Sequence, residues 1–331
     1  MAAFAIHSTT AGVMYTDGAT LADVPTMVEG KGMVWMDLVH PGREEKAFFS
    51  DVLELDELVI EDVFGEATTT SLKFPGHRFF VVHAREISQR LDTETLRIIV
   101  KDDMLITVRK GTIPALATFA RRLLNCDEED IKLGVDFLLY ELLDALADDW
   151  MPLIAQCSKE LDDLELRVFD PETRYDNLLE GLHDLKRKLR EANRSIESLN
   201  TITIRLLQPG ERFINPDVKH YFSDLHQMTT ALVKRMLAYS AAATSTRDSY
   251  LSSISMQLSE SNAKLTEVMT TLTMVGATML PLTLIAGIFG MNNDDLPADM
   301  FGGFWGILGL MVLFAFVMLT YFWRKGWFKN P

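Results

Sequence analysis

The 331-residue chain carries 47 Asp and Glu against 32 Lys and Arg, a formal charge of −15 at pH 7, so nucleic acid is not an expected partner. Its two cysteines, Cys126 and Cys157, form no Cys-x-x-Cys pair, and neither a disulfide framework nor a cysteine zinc centre is expected. Hydrophobic residues make up 48% although 24% are charged, which fits a polar domain joined to a membrane part in a chain too long for one compact domain.

The opening stretch MAAFAIHSTTAGVMYTDG has no basic n-region and no long apolar core. No signal peptide is expected, and the N-terminal bulk is placed in the cytoplasm. Residues 1–130 are read as an α/β domain. Within them GMVWMDLVH, HRFFVVHAREI, TLRIIVKD and MLITVRKG are runs rich in Val, Ile, Phe and Thr, broken by turn residues, as strands are. GREEKAFFSDVLEL and LDELVIEDVFG read as short helices. No glycine-rich phosphate loop, HExxH or GxSxG occurs, so the chain offers no enzyme motif, and no organic cofactor is expected.

Residues 131–216 read as an antiparallel hairpin of long helices. Leu139, Leu142, Leu146, Trp150, Leu153, Cys157, Leu161, Leu164 and Val168 repeat at three and four, one apolar stripe on one helix. Asp170-Pro171 ends it. Tyr175, Leu178, Leu182, Leu185, Leu189, Ile196 and Leu199 make the second stripe, ended near Pro209-Gly210. Between Pro216 and Gly276 there is no proline or glycine. One helix is therefore expected from about Asp217 to near Gly290, on the order of 110 Å long at 1.5 Å per residue. Residues 217–267 would be its stalk.

Val268 to Asn293 and Met300 to Trp323 contain no charged residue, and each run is long enough to cross a bilayer. The reading is a first span at 268–290, an external loop at 291–299, a second span at 300–323 and a basic tail at 324–331. The loop holds Asp294, Asp295 and Asp299, whereas Arg324, Lys325 and Lys329 follow the second span. The positive-inside rule then places both termini in the cytoplasm. Two spans cannot enclose a water-filled path, so a pore needs several copies around an axis. Thr266, Met269, Leu272, Thr273, Gly276, Leu280, Thr283 and Gly287 fall on one face of the first span. That face fits a pore lining, with Leu272 and Leu280 as constrictions that gate by dewetting, and it equally fits helix packing in lipid. Pro281 removes a backbone donor within the span, and Gly290 is a natural helix stop. Asn292 then lies just beyond the helix end. A ring of its amide oxygens could hold a hydrated Mg²⁺ through its waters, with the nearby aspartates concentrating cations.

The run LTMVGATMLPLTLIAGIFGMN closely resembles the CorA family of divalent-cation channels, whose mark is Gly-Met-Asn at the end of the first of two C-terminal spans. Glu267-Val268-Met269, RDSYLSSIS, LDDLELRVFD, LLYELLDALADDWMP, KFPGHRFFVVHARE and LITVRKG extend the resemblance over most of the chain. The resemblance implies a funnel-shaped homopentamer in the cell inner membrane, in which Gly290, Met291 and Asn292 form the selectivity ring. Thr266, Met269, Leu272, Gly276, Leu280, Thr283 and Gly287 take pore-lining positions; Thr266 stands where many magnesium members carry an inner-pore asparagine, and Asn262, one turn earlier, could replace it. The implied cargo is Mg²⁺, with Co²⁺ or Ni²⁺ besides, and bound Mg²⁺ closes the pore. Asp224 matches a carboxylate of that sensor, with Asp92 or Glu94 as partner from a neighbouring copy. Other departures are Gln227-Met228 in place of the family's Asp-His and Phe289 in place of tyrosine. Phenylalanine before the motif is common in the related ZntB branch, so Zn²⁺ transport, proton-coupled or not, is the alternative reading.

His220 and Asp224, at i and i+4 with His226 near, could hold a transition metal or form a surface hydrogen-bonded pair. Asp127–Asp130 and Glu160–Glu165 read as solvated helix faces. A membrane-anchored enzyme would need a convergent nucleophile, base or metal cluster, and none shows. A non-conducting scaffold would leave the Gly-Met-Asn entrance unexplained.

Overall fold

The computed structural model describes residues 4–9, 12–17, 21, 24, 33–65, 71–74, 76–86, 93–126, 128–168, 177–208, 214–291 and 303–327. The chain divides into two units, Met1–Asp248 and Ser249–Pro331.

The first unit is built on a seven-stranded sheet, counted among the described residues. Its strands are β1 (Phe4–Thr9), β2 (Gly12–Asp17), β3 (Val34–Val39), β4 (Ser71–Phe74), β5 (His77–Arg85), β6 (Thr93–Lys101) and β7 (Met104–Arg109), in the order β2-β1-β3-β7-β6-β5-β4. Only β3 and β7 run parallel, with Asp37 opposite Thr107. Both faces are covered, so the central strands are apolar on both sides rather than alternating with polar residues. On one face Met36, Leu38, Phe79, Val81, Ile99 and Ile106 pack against helices α1 (Arg43–Asp51) and α2 (Glu57–Phe64). Arg97 crosses this layer: its guanidinium donates to the carbonyls of Asp62 (2.9 Å) and Gly65 (2.8 Å), satisfying groups that the end of α2 leaves free.

On the other face Trp35, Phe80, Val82, Leu96, Ile98 and Leu105 share a core with α3 (Pro114–Leu124), α5 (Val135–Asp148), the end of α7 (Leu178–Leu206) and the start of α8 (Lys219–Phe289). A short α4 (Glu128–Lys132) precedes α5. Beneath this core Trp35 Nε1 donates to Thr107 Oγ1 (3.0 Å), Thr107 donates to Asp37 (2.7 Å), and Arg109 grips the Asp37 carboxylate through Nε and Nη2 (3.0 and 2.8 Å). Asp37 is 1% exposed, and the arginine supplies the buried carboxylate with the paired charge and hydrogen bonds that an interior ion needs.

One expectation fails here. The stripe from Leu139 to Val168 is not one helix: α5 ends at Asp148, a turn holds Asp149 and Trp150, and α6 (Met151–Val168) begins. Pro152 has no N–H and crowds the carbonyl four residues back, so it sits in the first turn of a new helix. Trp150 stays buried, but the stripe continues through Ile154, Cys157, Leu161 and Leu164 rather than Leu153. The opening stretch, placed in the α/β domain but assigned no strand, supplies β1 and β2, an antiparallel pair at one side of the sheet. Tyr175 lies outside the described residues. The remaining positions of the second stripe are buried on α7. α7 runs antiparallel to α6: Gly181 faces Leu164, and Lys188 binds Glu160 at 2.7 Å.

The second unit holds the C-terminal part of α8 and α9 (Gly303–Arg324), both long and apolar enough to cross a membrane. Pro281 lies inside α8 without ending it. After α9, Phe322 stacks on Trp327 (5.0 Å) and Lys325 lies over the rings of Tyr321 and Trp327, the cation and aromatic pairing that suits a membrane interface.

Candidate functional site

At about 100° per residue, Asn262, Thr266, Met269, Thr273, Gly276, Leu280, Thr283 and Gly287 share one face of α8, with Leu272 at its margin. All are exposed in the single chain except Gly276, which is half-buried. Leu272 and Leu280 keep 71% and 73% of their surface open. The hydroxyls of this face have a common state. Thr266 donates to the Asn262 carbonyl (2.8 Å), Thr273 to Met269 (2.7 Å) and Thr283 to Met279 (2.9 Å). Each proton is committed to the helix's own backbone, so what each threonine offers outward is oxygen lone pairs. Those can accept from the waters of a hydrated cation.

The helix closes where the motif begins. Gly290 N–H donates to the Ala286 carbonyl (2.9 Å), and Met291 N–H reaches back only to Ile288 (3.3 Å). A Cβ on residue 290 would lie 2.8 Å from the Ala286 oxygen, so any other side chain would push against the carbonyl that terminates the helix. Met291 is 66% exposed. Asn292 and the loop carboxylates Asp294, Asp295 and Asp299 lie outside the described residues.

In the first unit Asp224 is exposed on α8, with no hydrogen bond or ion pair in its own chain among the described residues. Its charge is felt by Tyr140 and Asp144 on α5. There Arg122 binds Asp144 and Asp148 (2.6 Å each) and, more loosely, Glu141 (3.5 Å). Burial is the main cause that raises the carboxyls of Glu141 and Asp144 above the usual range, against the pull of Arg122. The Tyr140 hydroxyl is likewise raised, first by burial and then by these carboxylates. This acidic face was not picked out in the sequence, although 141, 144 and 148 at three and four in YELLDALADDW mark one side of a helix. Asp92 is outside the described residues. Glu94 accepts from the Lys110 backbone N–H (3.0 Å) and is engaged in its own chain. His226 meets Thr203 Oγ1 at 3.4 Å and His220 lies against Tyr221. Among the described residues no group of three or more His, Cys, Asp or Glu could hold a metal ion.

Residues 30–325 match the family described as CorA-like Mg²⁺ transporter protein. The chain belongs to the CorA family. It is 27% identical over 315 residues to the cobalt/magnesium transport protein CorA of Thermotoga maritima, covering 92% of this chain and 84% of that one. The complete CorA magnesium transporter of Methanocaldococcus jannaschii shares the fold, with a TM-score of 0.69 over 99% of both chains at 22% identity. The ZntB cytoplasmic domain of Vibrio parahaemolyticus shares it in part, with a TM-score of 0.61 over 77% of this chain and 98% of that one at 11% identity. CorA-family proteins are membrane transporters of divalent cations and not enzymes.

Proposed function

We propose that the chain is one subunit of a homopentameric Mg²⁺ uptake channel of the cell inner membrane, which also accepts Co²⁺ or Ni²⁺. The α8 face from Asn262 to Gly287 lines the pore, and Gly290, Met291 and Asn292 form its external selectivity ring. Both termini lie in the cytoplasm, the side that the basic tail after α9 favours. The observation that carries the reading is the face of α8 itself. It presents hydroxyl oxygens with their protons tied back, leads to a helix stop at Gly290, and is left largely open by the described residues of its own chain. A closed ring of copies supplies a partner. Mg²⁺ keeps most of its water, so neutral oxygens suit its passage better than tight carboxylate ligands.

Gating follows from charge. Asp224 is exposed on α8, has no ion pair among the described residues, and its charge is felt by an acidic face that holds one arginine for three carboxylates. With Asp92 or Glu94 of an adjacent copy it would bind Mg²⁺, and loss of the ion would leave like charges facing one another and loosen the closed state. Glu94 already serves Lys110, which favours Asp92 as the partner.

Liposomes reconstituted with the full chain test this, with Mg²⁺ and Zn²⁺ offered separately, each with and without a pH gradient. The expected result is Mg²⁺ flux down its own gradient, suppressed by Mg²⁺ on the cytoplasmic face, and a loss of about a hundredfold or more in Asn292→Ala, on the scale of removing an essential charge-stabilising group. Zn²⁺ flux that follows the proton gradient, with little Mg²⁺ movement, would replace this reading by transport of the ZntB kind. Unchanged rate and selectivity in Asn292→Ala would remove the amide ring from it.

A further inference from the structure

β4 pairs with β5 only as far as Phe80, so the edge of β5 beyond it has no strand partner among the described residues. α7 covers part of that edge, and the His83 N–H donates to Ser198 Oγ (3.5 Å). Between strand and helix lies a cleft of about 390 Å³ lined by His83, Arg190, Asn193, Arg194, Glu197 and Ser198, with Thr201 at its end. That volume is within the range of about 300–1,000 Å³ usual for small-molecule sites.

The charges of the cleft are unbalanced. Lys186 donates to Thr244, Arg187 pairs with Asp184, and Lys188 pairs with Glu160. Arg85, at the end of β5, grips Asp149 at 2.7 Å. Arg190 and Arg194 have no ion pair or hydrogen bond among the described residues. They stand at i and i+4, where like charges repel, in a chain of net charge −15. The one carboxylate of the lining, Glu197, is engaged by Asn193 Nδ2 (3.3 Å). This bond fixes the amide's orientation, because a flipped amide would set its oxygen against the carboxylate. Asn193 Oδ1 is then a buried acceptor with no donor, which is costly unless something supplies one. Burial and the charge of Arg194 hold the His83 imidazole below its ordinary pKa, so it adds a neutral ring rather than a third cation.

We propose that this cleft is a binding site for a small organic phosphate. Arg190 and Arg194 take the phosphate oxygens, and Asn193 Oδ1 and Glu197 accept from a hydroxyl or amino group on the rest of the molecule. Guanidinium forks match phosphate geometry, and the orphan acceptor selects a ligand with a donor set away from its phosphate, as a nucleotide has and inorganic phosphate, whose P–OH groups sit on the phosphorus the arginines hold, has not. The site is independent of the transport reading, because it lies wholly in the first unit and its test reads binding alone.

Calorimetric titration of the full-length protein in detergent, without divalent cations, tests it with AMP, adenosine and inorganic phosphate in parallel. AMP should saturate one site per chain and bind more tightly than either of the other two. Arg190→Gln with Arg194→Gln should weaken AMP about ten- to hundredfold, the scale of lost charged hydrogen bonds, while Arg187→Gln should leave it unchanged. Lysine at both positions, which keeps the charge and loses the fork, should fall between and guards against misfolding of the glutamine pair. No saturation by AMP in the millimolar range, adenosine bound as tightly as AMP, or an unaffected double variant would overturn the site. Phosphate bound as tightly as AMP would overturn the organic half of the assignment.

Discussion

In the first unit Trp35, Ile99 and Phe119 are enclosed by their own chain to within 2% of full burial, whereas in the second Leu272, Leu280, Phe304 and Trp305 leave 71–77% of their surface open. The residue types are similar and the outcomes opposite. Around the sheet, apolar side chains leave water by meeting one another. Along the apolar C-terminal part of α8 and along α9 such meetings are few among the described residues, Phe322 on Trp327 being one, and lipid, with further copies in the proposed ring, would supply the rest. Mutations in the first unit should therefore be read as stability, and mutations in the second as flux.

The largest expected stability effect is at Phe119, fully buried and edge-on to Trp35 at 4.8 Å. Phe119→Ala should cost about 3–5 kcal/mol, seen as a lowered unfolding midpoint of the full chain in detergent. A loss under 1 kcal/mol would mean that this core is not the enclosed one described here. Arg109→Met follows closely. It strands the Asp37 carboxylate beneath the sheet at a cost of about 3–5 kcal/mol, and the additional change Asp37→Leu should recover much of the loss in the same melt. Leu280→Ala reverses the pattern. Unfolding should move by no more than about 0.5 kcal/mol, while Mg²⁺ flux in liposomes should rise several-fold if the side chain narrows a dewetting gate. A destabilised chain with unchanged flux would break the contrast.

The smallest effect is one of pH. The folded His83 pKa lies below its unfolded value of about 6.5, because of burial and then Arg194. The unfolded chain binds the proton more readily, so stability is unaffected above that value and falls as pH drops through it toward the folded pKa. With the ring partly open to screening solvent, the shift in melting temperature should stay under about 3 °C. His83→Gln should remove that share of the pH slope, and an unchanged slope would contradict the assignment.

What could be read in advance follows the same division. The spans, the helix stop at Gly290 and the buried positions of α7 are local patterns, written in runs and periods of a few residues. The central strands were legible for the same reason, since both of their faces are apolar. β1 and β2 were not, because FAIHST and GVMYTD are short segments of mixed polarity that resemble a loop. The break at Asp149-Trp150 was hidden because the three-four spacing runs through it, although Pro152 was a visible warning. Asp37 with Arg109, and His83 with Arg194, join residues far apart in the chain. No period connects them, and only the sheet register and the packing of α7 bring them together.

One consequence follows from how the threonines of α8 hold their protons. Charge in the form of H⁺ travels along a file of groups only if each can release one proton while taking another. From Val268 to Met291 the sequence has no acid, base, thiol or phenol. The hydroxyls of Thr271, Thr273, Thr278 and Thr283 point their hydrogens into backbone carbonyls. Such a wall has nothing to hand on. As the proposed pore lining it would wet a passing ion without itself relaying protons, so any energetic coupling to a proton gradient would have to be built from groups beyond this segment.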